Sequence, residues 1–377
     1  MRLLPLIALV ACAPPDSAET FVQLNSRTFS AEAQVNDAFI ELIQSADDEL
    51  SIALPRITDT RLSDAIIAKH AEGVLVRVVT DIDQATDPGT QALQDAGVPL
   101  RLADGDITYF DFILGNEVSW TSDQVIMSHA FAIADRYRTI TATTAGGQAD
   151  TSAVVIDIQG QDIAQDLWLE HNQVFGGSDA TALTAFSAPA KSRTDVRWRY
   201  PAQGDVPVEF WLGPQERLVK RTIDAIYTAR ISVRVLSNEM VNEGIARALQ
   251  DKASWGFPVE AIIGPDFGST SQPLARVFQN NTPDVSKFVF DAAADVPTLI
   301  LIDIEGGPDV LPRAYVLSHD LYSAERTYRG TEVVTDQLID GNLFVFSDTF
   351  YTGSEPASPL QPLVDLYQDH LDRSGDF

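Results

Sequence analysis

Apolar residues recur along this chain in two rhythms, and the pattern is written twice. Ile40, Ile43 and Ala46 stand three apart, as do Ile223, Ile226 and Ala229. That spacing puts each trio on one face of a helix. Each predicted helix runs into a predicted strand, at 50–53 and at 231–234. Gly73 then stands three residues before the apolar run 76–79, and Gly256 three before 259–262. The helices and the glycines share one offset, 223 − 40 and 256 − 73, both 183 residues. Similar composition explains two α/β stretches of the same character, but not their common register.

Further on, a helix and short strand are predicted over 92–102. Two short apolar strands then each close on an aspartate. One reads Ser128-His129-Ala130-Phe131-Ala132-Ile133-Ala134-Asp135. The other reads Val296-Pro297-Thr298-Leu299-Ile300-Leu301-Ile302-Asp303. A strand and turn follow at 140–145 and 314–320. Each half is expected to end on a Val-Val-x-Asp strand, 154–157 and 333–336. Strands alternating with helices predict an α/β fold with largely buried sheets. The expected division is a body of two units, 23–177 and 206–377, around a Ser-, Ala- and Pro-rich linker, 178–205. A chain of 377 residues fits two such units.

The two aspartate-ended strands resemble the His-x-Lys-x-x-x-x-Asp strand of the phospholipase D superfamily. The stretch Leu93 to Leu102, with Gly97-Val98, resembles that family's Leu-x-x-x-Gly-Val-x-Val element. The resemblance implies two lobes, each a mixed β-sheet flanked by helices, packed about a pseudo-twofold axis with the site at the seam. It also implies a chemistry. One histidine attacks phosphorus, the histidine of the other half protonates the leaving group, and the lysines neutralise phosphoryl oxygens.

The letters of that chemistry are missing here. Ser128 and Ala130 stand where the family has His and Lys in the first half, and Val296 and Thr298 in the second; only Asp135 and Asp303 remain. Strand alternation predicts that His129 points with Phe131 and Ile133, away from Ser128 and Ala130. Downstream, the family's Gly-Ser-x-Asn corresponds to 142–145 and 317–320, keeping the hydroxyls Thr143 and Ser318 and replacing asparagine by Ala145 and Asp320. Glu332 is read as the family's later glutamate, with Ala153 as its counterpart. Among the five histidines, His319 is the other one expected near the seam, while His70, His171 and His370 read as surface residues. The expectation is a non-catalytic protein. Two alternatives stay open. One is a phosphodiesterase rearranged around His129 and His319; the other is a small-molecule binder using the interlobe cleft. His129 facing His319 across the seam would favour the first.

Charge and the N-terminus add a location. A formal net charge of −28 disfavours nucleic acid and anionic lipid as nonspecific partners. The most basic stretch, 191–199, offers Arg197 and Arg199 as anion-binding candidates beside Trp198, or serves as a solvated linker. Thr143, Ser318, Asp320 and Glu332 are the other ligand-binding candidates. Arg2, the apolar run 3–10 and Leu9-Val10-Ala11-Cys12 resemble a bacterial lipoprotein signal peptide, 1–12, with a tether over 13–22. That resemblance implies lipidation of Cys12, the only cysteine, and membrane attachment without a spanning helix. Ala13 after the cysteine favours the outer membrane. The remaining partner is an envelope ligand or protein; no cofactor and no metal site is expected.

Overall fold

Two sheets with one strand order form the body of the molecule. The computed structural model describes residues 23–103, 107–111, 116–120, 125–147, 151–176, 208–213, 217–238, 240, 242–264, 286–290, 296–307, 309–319, 321, 327–329, 332–334, 338–347 and 358–376. Cys12, Arg197, Arg199 and Asp320, with the signal, tether and linker segments, lie outside the described residues.

The first lobe runs β1 (Gln23–Phe29), α1 (Glu32–Gln44), β2 (Glu49–Ala53), α2 (Thr60–Glu72), β3 (Leu75–Asp81), α3 (Pro88–Asp95) and β4 (Leu100–Ala103). It continues through β5 (Ile107–Asp111), β6 (Asn116–Trp120), β7 (Val125–Met127), β8 (Phe131–Ala134), β9 (Arg138–Ala142), β10 (Ala153–Gln159) and α4 (Gln161–Phe175). The second lobe begins with β11 (Val208–Leu212), α5 (Leu218–Thr228), β12 (Val233–Ser237), α6 (Glu243–Ser254), β13 (Val259–Ile263), β14 (Ser286–Phe290), β15 (Leu299–Ile302) and β16 (Arg313–Leu317). It ends with β17 (Thr327–Arg329), β18 (Glu332–Val334), β19 (Leu338–Asp340), β20 (Asn342–Ser347), α7 (Gln361–Arg373) and β21 (Gly375–Asp376).

The first sheet is ordered β1-β10-β9-β8-β2-β3-β4, and the second β11-β20-β16-β15-β12-β13-β14, with β21 added at its edge. In each, three strands are parallel and the rest antiparallel. The α1 and α2 helices pack Phe39, Leu42, Leu62 and Ile66 on one face of the first sheet, against Ile52, Val78, Ala132 and Ala134. The second sheet's outer face receives Ile226, Ile245 and Leu249 of α5 and α6 against Val235, Ala261, Ile300 and Ile302. The two inner faces meet in one shared core. Phe131, Ile133 and Ile156 face it from the first sheet, Leu299, Leu301 and Phe344 from the second, with Leu167 of α4 and Leu363 of α7.

The common register reaches individual atoms. Gly73 (φ 93°) and Gly256 (φ 85°) both turn the chain from helix to strand in the left-handed region, where a side chain is disfavoured. Asp135 accepts the amides of Asp47, Asp48 and Glu49 at 3.0, 2.8 and 2.9 Å. Asp303 accepts those of Arg230, Ile231 and Ser232, at 2.9, 2.6 and 3.1 Å. Both aspartates are left-handed, φ 52° and 57°, which aspartate tolerates better than most residues. These two surviving motif residues therefore cap the start of β2 and of β12.

The closing strand of the second lobe differs from expectation. The partner of β16 is β20, while Val333 lies in the small β17–β18 hairpin. The counterpart of Ala153 is accordingly Gly341, not Glu332, whose side chain is not described. Local spelling misled because a Val-Val pair suits any strand, whereas the sheet selects the segment that completes its ladder.

Candidate functional site

The seam is built from the segments just before β8 and β15 and just after β9 and β16. Ala130 O accepts the amide of Ala142 at 2.9 Å, and Thr298 O accepts that of Leu317 at 3.2 Å. The two lysine positions are thus equivalent in the fold. Beyond them, Thr143 N donates to Val154 O and Val154 N to Thr143 Oγ1. Ser318 N and Asn342 do the same in the second lobe. The candidate hydroxyls Thr143 and Ser318 are therefore engaged in joining strands, and both residues are buried.

Ser128, Ala130, Val296 and Thr298 are all buried. Among the described residues, Ser128 Oγ has no hydrogen-bond partner. Val296 N donates to Asn238 Oδ1 at 2.6 Å. A second-lobe side chain closes over the first-lobe lysine position. Ala130 N donates to Asn342 Oδ1 at 3.2 Å, and Asn342 Nδ2 donates to Thr141 Oγ1 at 3.1 Å. Replacing Asn342 by alanine is expected to cost about 2 kcal/mol, because two buried interlobe hydrogen bonds disappear. Urea denaturation of wild type and variant measures it.

His129 corrects the sequence expectation. Its ring does lie beside Phe131, edge to face at 5.5 Å, but the Phe131 face is the one turned to the other lobe. The outer face carries Ala132 and Ala134. Ser128–Ala130 and Val296–Thr298 precede their strands, so period-two alternation is not imposed on them. Val296 joins the shared core although Ile300 and Ile302 face outward.

Behind His129 stands Glu170 of α4, its carboxylate 3.5 Å from Nε2, with both side chains fully buried. His171 and His370 are also buried rather than on the surface. The reason is that α4 and α7 contribute to the shared core, which amphipathic pattern alone did not reveal. His171 Nε2 bonds Ile52 O at 3.0 Å, and its ring stacks on Phe175. Burial, then the nearby Arg77 charge, pushes His171 down to about 3. His319 is likewise pushed to about 3, first by burial and then by repulsion from His129. The structure thus brings His129 and His319 within electrostatic reach across the seam.

His319 meets His129 without a proton of its own to give. An imidazole held near 3 is neutral at pH 7 and carries no imidazolium proton to give a leaving group. At the lysine positions stand a methyl group and a hydroxyl, neither able to neutralise phosphoryl oxygens. Among the described residues, no group of three or more His, Cys, Asp or Glu is arranged to hold a metal ion.

Sequence reasoning missed Asn342 and Glu170. Asn342 is a lone amide at the head of the apolar strand Asn342–Ser347, and Glu170-His171-Asn172 is a polar run on a buried helix. Each was a visible signal, since buried polar groups need partners.

Residues 39–147 match the family model described as "Cardiolipin synthase, PLD-like domain". No curated protein matches the sequence. Phosphatidylserine synthase from Haemophilus influenzae Rd KW20 is similar in structure, with TM-score 0.65 and 11% identity, over 94% of this chain and 87% of that one. Polyphosphate kinase from Porphyromonas gingivalis is also similar, with TM-score 0.56 and 10% identity, over 93% of this chain and 47% of that one. At these identities the likeness is one of fold.

Proposed function

From a chain that carries a phospholipase D-like domain in a two-lobed phospholipase D-like fold, we propose a non-catalytic protein, lipid-anchored through Cys12 in a bacterial envelope. Its role there is binding or structural. The observation that carries this reading is the seam itself: Ala130 and Thr298 are buried and uncharged at the two lysine positions. Asn342 fills the space between lobes with hydrogen bonds to Ala130 and Thr141. A phosphodiester anion entering there loses its hydration and gains no cation from those positions.

The test is turnover. The purified protein is assayed with a chromogenic phosphodiester and with phospholipid vesicles, beside His129→Ala. No turnover above buffer is expected from either protein. Turnover that His129→Ala abolishes would overturn the reading. It would favour a phosphodiesterase using His129 and His319 instead. The observation on that side is the Glu170 carboxylate at 3.5 Å from His129 Nε2, with His319 of the other lobe within electrostatic reach.

A further inference from the structure

We propose that Tyr227 and Trp255, on the outer side of the second lobe, form a stacking platform for a neutral polysaccharide chain. The platform lies at the ends of α5 and α6, and it depends neither on the seam nor on Cys12.

Two exposed rings share one surface here. Tyr227 is 39% exposed and Trp255 59%. Their centroids are 6.0 Å apart and their planes are tilted by 36°. Tyr227 Oη donates to Asp251 Oδ2 at 2.8 Å, one turn of α6 before Trp255. Lys252 Nζ donates to Ala229 O at 2.6 Å. It lies 5.4 Å from the centre of the Trp255 ring and 4.5 Å from that of Phe257. Both rings are thus held by polar neighbours. They have little rotamer freedom to lose when a ligand stacks on them.

The duplication shows that the fold does not need these rings. The offset of 183 residues puts Gln44, Ala68, Lys69 and Glu72 at the positions of Tyr227, Asp251, Lys252 and Trp255. The first lobe closes the same helix with a Lys69–Glu72 ion pair at 3.0 Å. It then makes the same left-handed turn, at Gly73 as at Gly256. Exposed rings that the helix end does not require mark a binding surface.

The surroundings select the chemistry of the occupant. One carboxylate and one ammonium, Asp251 and Lys252, stand at the rings, and their charges offset. The next charges along α5, Lys220 and Asp224, pair with each other. Lys252 repels a second cation at the Trp255 ring, and the net charge of −28 repels anions. A neutral ligand remains. Asp251 is exposed beside the rings. A bilayer or an apolar peptide laid over them would strip water from this carboxylate and supply no donor in return. A sugar lays an apolar C–H face on an aromatic ring and turns hydroxyl donors toward the rim. Two adjoining rings give room for more than one sugar, so the occupant is a chain.

Cosedimentation of the full protein with insoluble chitin and cellulose, both neutral, tests this. Retention on at least one of them is expected. Trp255→Glu should lower the bound fraction at least about tenfold, because the covered ring is lost. That variant gives Lys252 the kind of partner Lys69 has, so the helix end keeps its closure. Should it still fail to fold, Trp255→Phe, with a smaller ring, decides the matter by an intermediate loss. Asp251→Leu should also weaken retention, because the sugar hydroxyls lose their acceptor. An apolar occupant demands the reverse. If Asp251→Leu leaves retention unchanged or raises it, the proposal fails. It fails equally if that change drives binding to phosphatidylcholine vesicles or self-association seen by light scattering. If neither polysaccharide retains wild type, or if retention survives Trp255→Glu, the platform is overturned.

Discussion

Replacing Asp303 with alanine is expected to cost about 3–5 kcal/mol of folding stability, as large a loss as any single change outside the apolar core. Asp303 is buried, and its carboxylate accepts three successive amides, from Arg230, Ile231 and Ser232. Alanine leaves those donors without acceptors and must also adopt φ 57°, a region that costs a Cβ-bearing residue about 1–2 kcal/mol. Asparagine keeps an oxygen acceptor and tolerates the left-handed region, so Asp303→Asn should lose less than Asp303→Ala. Urea denaturation of the three proteins checks the order. An alanine variant as stable as wild type would remove this carboxylate from the account of the fold.

Its twin in the first lobe carries a pH signature. Burial tends to raise the pKa of Asp135, but the amides of Glu49, Asp47 and Asp48 and the Lys69 charge outweigh it and hold the group below its usual value. Burial likewise opposes ionisation of Glu49 and Asp59. Hydrogen bonds from Trp168 and Arg136 lower the first, and those from Arg61 and Asn36 lower the second. A depressed carboxylate binds fewer protons folded than unfolded. Its stabilisation is present above the unfolded value of about 4 and is lost as pH falls through the folded one. Melting temperature should therefore fall below about pH 4, and Asp135→Asn should flatten that acid limb.

Arg77 provides the second large effect. Arg77→Met is expected to destabilise the first lobe by about 3–5 kcal/mol, because removing one partner strands another buried charge. The guanidinium is buried on β3, pairs with Glu49 and donates to Asn172 Oδ1 at 2.8 Å. It also lies 5.8 Å from the Trp168 ring and 6.0 Å from that of Phe175. The Glu49 carboxylate would keep Arg136 and Trp168 but lose its most buried cation. Apolar replacement of both members, Arg77→Met with Glu49→Leu, should recover part of the loss, since a well-packed apolar pair often matches a buried ion pair. A double variant less stable than the sum of the single changes would contradict this account of the pair.

The two effects fall on different levels of legibility. The position of Asp303 was readable, because an aspartate closing an apolar strand in both halves stands out as a repeated letter; the three amides it accepts were not. The Arg77 pair was not, because an arginine and a glutamate in predicted strands carry no sign of which face they occupy. Only the docking of α4 onto β2 and β3 buries them together. His171 and His370 were misassigned for a related reason: each stands on the buried face of its helix, and the sequence does not say how wide that face is.

The sequence by itself determined the duplicated α/β plan, the offset of 183 residues seen in Gly73 and Gly256, and the absence of His and Lys in register before Asp135 and Asp303. Those features are local: helix period, strand period and turn residues act within a few positions. The tertiary structure decided which sheet face became the seam, which segment closed the second sheet, and where the histidines went. These are long-range choices, made when two sheets, α4 and α7 bury one shared apolar core. His129 thus lies beside Phe131 and the α4 carboxylate Glu170, a placement fixed by packing and not by strand period. Asn342 reaches Ala130 because β20, and not the Val333 hairpin, completes the ladder.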